Sequence, residues 1–155
     1  MDTEGEFAPA TPAAARERYE TVGPTAQVVV KEIAKAMDMD AEEYDRRVTS
    51  DVVETARDVL FASLLEVRVG TRTEFEEWLG SSEYDEAAVW EAGSEHVDNV
   101  VWHATPAADT VVAATFQDQR RAAVGTLRRQ AFGRVYRDLV SESPTEEANG
   151  AGDGE

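Results

Sequence analysis

The sequence contains no cysteine, only two lysines and one isoleucine, and no long hydrophobic run. Without cysteine there is no disulfide framework, thiol nucleophile or thiolate metal site, which suits a reducing cytosol. The longest apolar runs, such as residues 28–30 and 111–114, are far shorter than the roughly 20 residues that cross a bilayer. The first residues, MDTEGEFAP, are acidic and unlike a signal peptide. We therefore expect a cytoplasmic protein that is neither secreted nor membrane-anchored.

Acidic residues dominate the charge of the chain. It has 32 Asp and Glu residues against 15 Lys and Arg residues, which gives a formal net charge of -17. Dense carboxylates repel one another in dilute buffer, but in molar salt the Debye length falls to about 3 Å and the repulsion is screened. Salt also strengthens apolar burial, so a core rich in valine and poor in leucine suffices. The composition indicates a halophilic protein, with an ordinary acidic cytosolic protein as the alternative.

The length and composition fit one compact domain, because 155 residues with 42% hydrophobic residues can bury a substantial core. Residues 1–10 mix acidic residues, glycine, proline and alanine without periodicity, and residues 140–155 are polar, acidic and glycine-rich. Both ends are predicted to be disordered. We expect a helical domain over residues 11–139.

Helical spacing of apolar residues and helix start signals recur along the chain. Thr11 and Pro12 form a cap and first-turn pair, Asp40 can cap a short helix, and Thr73 is spaced from Glu76 as a capping box. The helices predicted before residue 81 span residues 12–22, 25–38, 41–48, 51–67 and 74–79, and the end of the fourth overlaps a possible strand at residues 66–69. This pattern predicts a mainly α fold, a single compact domain of six or seven helices.

Two regions allow strands. Residues 66–69 alternate and are predicted to pair with residues 88–91 in a small β element. The spacing of Val97, Val100, Val101 and Ala104 favours a helix over 95–104, and a second helical run is predicted from Thr105 to residue 139. The alternative is an α+β fold in which residues 97–103 form a hairpin with residues 110–116, since both stretches are rich in valine.

Several segments between residues 6 and 139 resemble a family of small haloarchaeal proteins of unknown function. They are ARERYE at 15–20, VVETARDVLFASLL at 52–65, GSEHV at 93–97, WHA at 102–104, AATFQ at 113–117 and TLRRQAFGRVYR at 126–137. The resemblance implies a halophilic origin. It implies no activity, cofactor or catalytic residue.

The two histidines, His96 and His103, are seven residues apart and would point the same way on a helix. A carboxylate from another helix, such as Glu54 or Asp58, would be needed to complete a metal site. The spacing differs from the HExxH motif, in which the two ligands are four residues apart. We therefore predict a hydrogen-bonded, partly buried His103, and retain a metal-dependent enzyme or metal-binding protein as an alternative.

Six of the 15 basic residues lie between positions 120 and 137. On a helical wheel the arginine- and aromatic-rich side of this segment consists of Arg121, Arg128, Arg129, Phe132 and Tyr136. We predict that it binds an unidentified protein partner, or that its arginines pair internally with acidic helices. A nucleic-acid-binding protein that uses the same helix is the remaining alternative. It is disfavoured because phosphate binding weakens steeply with salt and the acidic chain repels nucleic acid.

The sequence has no glycine-rich phosphate loop and no G-x-S-x-G nucleophile motif. The many carboxylates do not identify a catalytic acid and base pair, because a halophilic surface carries acidic residues everywhere. We predict a non-enzymatic protein without a cofactor that acts through protein–protein interaction.

Overall fold

The computed structural model describes residues 1–141. The helices are α1 (Pro12–Thr21), α2 (Gly23–Ala36), α3 (Ala41–Arg47), α4 (Ser50–Ser63), α5 (Arg72–Ser81), α6 (Arg120–Ala131) and α7 (Arg137–Ser141). The strands are β1 (Asp2–Glu4), β2 (Val67–Thr71), β3 (Val89–Ala92), β4 (Asn99–Thr105) and β5 (Thr110–Phe116). Short 3₁₀ turns span Glu86–Ala88 and Pro106–Ala108. A π-helical turn, Phe132–Tyr136, joins α6 to α7 and is called the π turn below.

The fold is α+β, so the prediction of a mainly α domain is wrong. The strands form one mixed sheet in the order β1-β2-β4-β5-β3, in which neighbouring strands are antiparallel except for the parallel pair β5 and β3. Helices α4 and α6 and the π turn cover one face, where Phe61 and Leu127 pack against Val101 and Val112. Helix α5 covers the other face, where Phe75 packs against Trp102 with ring centroids 5.0 Å apart. Both faces of the central strands are therefore buried.

Strands β4 and β5 form a hairpin where the apolar spacing predicted helix. They pair along their whole length around a turn in which Asp109 has a left-handed φ of 49°. Four consecutive residues of β4, Val100–His103, are buried because the strand lies inside the sheet. A strand buried on both faces has no polar alternation, so its valines also satisfied a helical spacing. The alternative hairpin of 97–103 with 110–116 is confirmed, and the helix predicted from Thr105 begins only at Arg120.

The predicted pairing of residues 66–69 with 88–91 is wrong, although both segments are strands. Strand β2 pairs with β1 and β4, whereas β3 pairs with β5 at the far edge of the sheet. The β4–β5 hairpin lies between them. Strands that follow each other closely in the chain usually pair first, and this hairpin separates β2 from β3.

The first ten residues are ordered in the structure, contrary to the prediction of disorder. Strand β1 pairs with β2, and Phe7 forms a bridge with Leu65 and packs against the core. The Arg120 guanidinium also holds β1, because its nitrogens lie 2.9 Å from carboxylate oxygens of Asp2 and Glu4. Composition suggested disorder, but backbone pairing to a sheet edge and one aromatic anchor order this segment. Of the predicted disordered tail 140–155, residues 140 and 141 belong to α7 and the rest lies outside the described residues.

The helices predicted in the N-terminal half are confirmed, as are the caps at Thr11 and Asp40. Thr11 accepts a hydrogen bond from Ala14 N at 3.1 Å, and Asp40 accepts one from Glu43 N at 2.8 Å. These side chains satisfy backbone donors that have no partner inside the helix. None of the helices between residues 1 and 141 is long and apolar enough to span a membrane.

We expect Thr71→Ala to lower the free energy of unfolding by about 1 kcal/mol. The capping box of α5 is formed by Thr71 and Glu74, two residues earlier than the predicted Thr73 and Glu76. Glu74 N donates to Thr71 Oγ1 at 3.1 Å, and Thr71 N donates to Glu74 Oε1 at 2.9 Å. Urea unfolding at fixed salt measures the change. The matched control is Thr73→Ala, at an exposed position two residues later, and equal losses for the two variants would refute the assignment.

Candidate functional site

The two histidines occupy different environments. His103 lies in β4 and is 1% exposed, whereas His96 is exposed in the segment between β3 and β4, where its backbone N–H donates to Ser94 Oγ at 3.1 Å. The prediction that both project from one helix is therefore wrong. Among residues 1–141 no group of three or more His, Asp and Glu side chains is placed to hold a metal ion.

Both ring nitrogens of His103 are engaged in the core. Nδ1 lies 2.6 Å from the Glu66 carbonyl oxygen, which only accepts, so Nδ1 carries the hydrogen. Burial lowers the pKa of His103 to about 4, so the ring is neutral near pH 7 and Nε2 is an acceptor. The Tyr136 hydroxyl, 2.6 Å away, donates to Nε2, and the Thr105 hydroxyl at 3.1 Å then donates to Tyr136. This fully bonded network leaves His103 no free lone pair for a metal or substrate.

A groove of about 240 Å³ lies between α4 and the C-terminal helical segment. Phe132 and Ala62, which are 4% exposed each, form its floor. Val59 of α4, at 55% exposure, forms one wall. The floor is apolar and fixed, because Phe132 packs edge-to-face on Phe61 with ring centroids 5.8 Å apart. We name this site the α4–α6 groove.

Two arginines form the opposite rim of the α4–α6 groove. Arg129 is exposed, and its Nη2 donates to Thr126 Oγ1 of the same helix at 3.2 Å. Arg137 places its guanidinium carbon 5.1 Å from the centre of the Phe132 ring and a nitrogen 3.8 Å from Asp58. With Asp58 the only acid among the lining residues, the groove carries one excess positive charge in a chain of net charge -17. It therefore combines an apolar floor with guanidinium donors.

The π turn explains why Arg137 reaches the groove. The Arg137 backbone N–H donates to the Phe132 carbonyl, which is the i to i+5 bond of a π-helix. In a regular α-helix, five residues correspond to a rotation of about 140°, so residue 137 would point well away from residue 132. The wider turn instead places the Arg137 guanidinium over the Phe132 ring. Single π turns inside α-helices are frequent at functional sites.

The acidic side of the groove is held by α1. Tyr19 donates its hydroxyl hydrogen to Asp58 Oδ1 at 2.6 Å, and its ring stacks on Phe132 with centroids 6.5 Å apart. Burial, followed by the Asp58 hydrogen bond, raises the pKa of Tyr19 far above its usual range. The Arg57 guanidinium lies 4.2 Å from the centre of the Tyr19 ring and donates to the Tyr19 carbonyl at 2.8 Å. Asp58 is thus positioned by a rigid aromatic neighbour.

A second cleft of about 580 Å³ continues from the groove past Asp58, Phe132 and Arg137 towards α7. Its other lining includes Glu54 and Asp138, so this cleft is more acidic than the α4–α6 groove.

The structure brings together only part of the predicted arginine- and aromatic-rich side. Arg129 and Phe132 meet in the α4–α6 groove. Tyr136 is fully buried beneath the sheet, and Arg128 turns inward to donate from Nε to the Leu65 carbonyl at 3.0 Å. Arg121 is exposed in the first turn of α6 and does not line the groove. The alternative prediction, in which the arginines pair with acidic helices, does not describe Arg128, because its partner is a backbone carbonyl.

Sequence reasoning missed Arg137, Val59 and Asp58. Arg137 belonged to the basic segment, but a 3.6-residue wheel assigned it to another side. Val59 was not distinguished from the other apolar residues of α4, and Asp58 was named only as a carboxylate that could complete a metal site with the histidines. The apolar residue Val59 was the only feature of the α4 sequence that could have indicated the groove wall.

The fold and the groove define a class: a small α+β domain with a mixed five-stranded sheet and a surface groove that offers an apolar floor and guanidinium donors. The chain belongs to DUF5809, a family of unknown function, whose model matches residues 6–137. The predicted membership in an uncharacterised family is thus confirmed. No curated protein and no solved structure matches the chain.

Proposed function

We propose that this protein is a non-enzymatic binding module that holds an acidic, amphipathic segment of a protein partner in the α4–α6 groove. The observation that carries the proposal is the placement of Arg129 and Arg137 beside the apolar floor at Phe132. A carboxylate of the partner accepts hydrogen bonds from the guanidinium groups, and an apolar side chain of the partner rests on the floor. The acidic composition supports a working environment in the salt-rich cytosol of a halophile.

An acidic protein segment fits the groove better than nucleic acid does. The groove takes a side chain into an apolar recess rather than following a phosphate backbone. The chain as a whole has a net charge of -17, which repels a polyanion over its length, whereas the two arginines of the groove attract one carboxylate locally. Hydrogen bonds of bidentate geometry and apolar contact also persist at salt concentrations that abolish counterion-driven binding.

A labelled peptide tests the proposal. The probe is a synthetic amphipathic helix of glutamate and leucine, and fluorescence anisotropy in about 1 M KCl measures its affinity. We expect Arg129→Gln/Arg137→Gln to weaken binding about tenfold or more, since two charge-assisted contacts are lost. Circular dichroism shows whether the double variant is folded. If it is not, the single variant Arg129→Gln replaces it in the binding measurement.

The matched control is Arg46→Gln/Arg121→Gln, which removes the same charge at exposed sites outside the groove. It should retain wild-type affinity. A peptide with glutamine in place of glutamate should bind weakly. Equal losses in both arginine pairs, no binding of the glutamate peptide, or tighter binding of a single-stranded oligonucleotide than of the peptide would each refute the proposal.

A further inference from the structure

The carboxylate of Asp58 lies between two neighbours that it contacts unequally. Its Oδ1 accepts the Tyr19 hydroxyl hydrogen at 2.6 Å, and its Oδ2 lies 3.8 Å from Nη1 of Arg137. The first contact is a short hydrogen bond. The second is longer than the roughly 2.7–2.9 Å of a charge-assisted hydrogen bond between a guanidinium and a carboxylate. Asp58 is therefore bonded to α1 and only near the arginine on the rim of the groove.

The separation between Asp58 and Arg137 needs a physical reason. A carboxylate beside a guanidinium normally closes to hydrogen-bond distance, because both groups are charged. The Asp58 side chain is only 21% exposed, so its charge gains from a direct partner, and a shift of about 1 Å would reach one. The Tyr19 hydroxyl opposes this shift, because it holds one carboxylate oxygen in place and already satisfies part of the charge.

Tyr19 can restrain a neighbour because its own ring is fixed on several sides. The ring stacks on Phe132 with centroids 6.5 Å apart and meets Phe61 edge-to-face with centroids 5.8 Å apart. The Arg57 guanidinium lies 4.2 Å from the centre of the Tyr19 ring, and its Nε donates to the Tyr19 carbonyl at 2.8 Å. A ring held in this way keeps its hydroxyl, and therefore the bonded carboxylate, in place.

Arg137 is held at the groove by contacts other than Asp58. The π turn directs its side chain over Phe132, with the guanidinium carbon 5.1 Å from the centre of the ring. Of the acids among residues 1–141, only Asp58 forms an ion pair with Arg137, and at 3.8 Å this pair is not a hydrogen bond. A partner carboxylate can thus bond to Arg137 without first displacing Asp58 from it.

We propose that Tyr19 is a positioning residue of the α4–α6 groove: by holding Asp58, it keeps Arg137 available to the carboxylate of the partner. This inference rests on the proposed binding of an acidic segment in the same groove. Tyr19 lines the neighbouring cleft and not the groove itself, so it acts through Asp58. Without the hydroxyl, Asp58 bonds directly to Arg137, and the protein neutralises one of its own binding groups.

Removal of the Tyr19 hydroxyl tests this role with the same glutamate and leucine peptide, by fluorescence anisotropy in about 1 M KCl. We expect Tyr19→Phe to weaken binding about threefold to tenfold, because Asp58 then competes with the peptide for Arg137. The loss is smaller than that of Arg129→Gln/Arg137→Gln, since Arg129 still binds the peptide. Circular dichroism shows whether each variant is folded.

A substitution of Asp58 separates this role from a general effect on packing. Asp58→Asn removes the competing negative charge and should tighten peptide binding about twofold. The double variant Tyr19→Phe/Asp58→Asn should therefore recover at least the wild-type affinity, whereas a loss caused by disturbed packing would persist in it. The matched control is Tyr84→Phe, at a tyrosine that stacks on Trp78 on the other face of the sheet. This control should retain wild-type affinity.

A crystal structure of Tyr19→Phe gives a readout that does not depend on the peptide. The distance between Arg137 and Asp58 should fall from 3.8 Å to about 2.8 Å. An unchanged distance overturns the inference, as does wild-type affinity for Tyr19→Phe, weakened binding by Asp58→Asn, or a double variant that stays as weak as Tyr19→Phe. If the wild type does not bind the peptide, the proposed function fails, while the distance still decides whether Tyr19 restrains Asp58.

Discussion

Phe132→Ala is expected to lower the free energy of unfolding by about 3–5 kcal/mol, the usual cost of removing a buried phenylalanine ring. Phe132 is 4% exposed and contacts the rings of Phe61 and Tyr19. The truncation removes the floor of the α4–α6 groove and opens a cavity that the rigid aromatic neighbours cannot fill. Urea unfolding in constant high salt, followed by circular dichroism, measures the change.

The matched control for this prediction is Arg129→Ala on the rim of the same groove. Its side chain is exposed, so we expect a stability change within about 0.5 kcal/mol. The two residues were predicted together as one partner-binding surface, but one contributes to the core and the other only to recognition. A loss below about 1 kcal/mol for Phe132→Ala, or equal losses for both variants, would contradict the assigned burial.

The sequence predicts the N-terminal helices well because their signals are local. Thr11, Pro12 and Asp40 act within one turn of the residues they cap, and such short-range hydrogen bonds are independent of the rest of the fold. The α5 box was displaced by two residues because Thr71 and Thr73 each precede a glutamate by three positions. The end of β2 at Thr71 determines which threonine caps the helix, because α5 begins directly after that strand.

Strand pairing could not be predicted from local pattern in the same way. β4 contributes Val101 and His103 to one face and Val100 and Trp102 to the other, and both faces are covered. The resulting run of buried residues has no period of two, so burial on both sides concealed the strand. The pairing of β1 with β2 depends on contacts between residues more than 60 positions apart, which composition does not encode.

The candidate site was predicted in part. Two residues of the predicted arginine- and aromatic-rich side, Arg129 and Phe132, lie in one groove. The wheel failed beyond residue 131 because the π turn shifts the register of the helix, which buries Tyr136 and brings Arg137 to the site. A helical wheel assumes 3.6 residues per turn throughout, so one wide turn misplaces every later side chain.

The pH dependence of stability is expected to report on His103. Burial lowers the pKa of the folded-state imidazole to about 4, against an ordinary value of 6.5. Between these values the unfolded chain binds the proton and the folded chain does not, so stability rises with pH. The contribution is complete above about pH 6.5 and is lost progressively down to pH 4. A difference of this size corresponds to about 3 kcal/mol.

Two histidine variants isolate this contribution from the carboxylates that also titrate at acidic pH. His103→Gln removes the titrating group and retains an acceptor towards the Tyr136 hydroxyl, so its stability should fall less between pH 6.5 and 4 than that of the wild type. His96→Gln removes the exposed imidazole and should keep the wild-type slope. Urea unfolding at several pH values, at constant salt, gives both slopes. If His103→Gln and His96→Gln have the same slope as the wild type, His103 is not a buried neutral imidazole. A shallower slope for His96→Gln than for His103→Gln would contradict the assigned network, because only His103 has both ring nitrogens bonded inside the core.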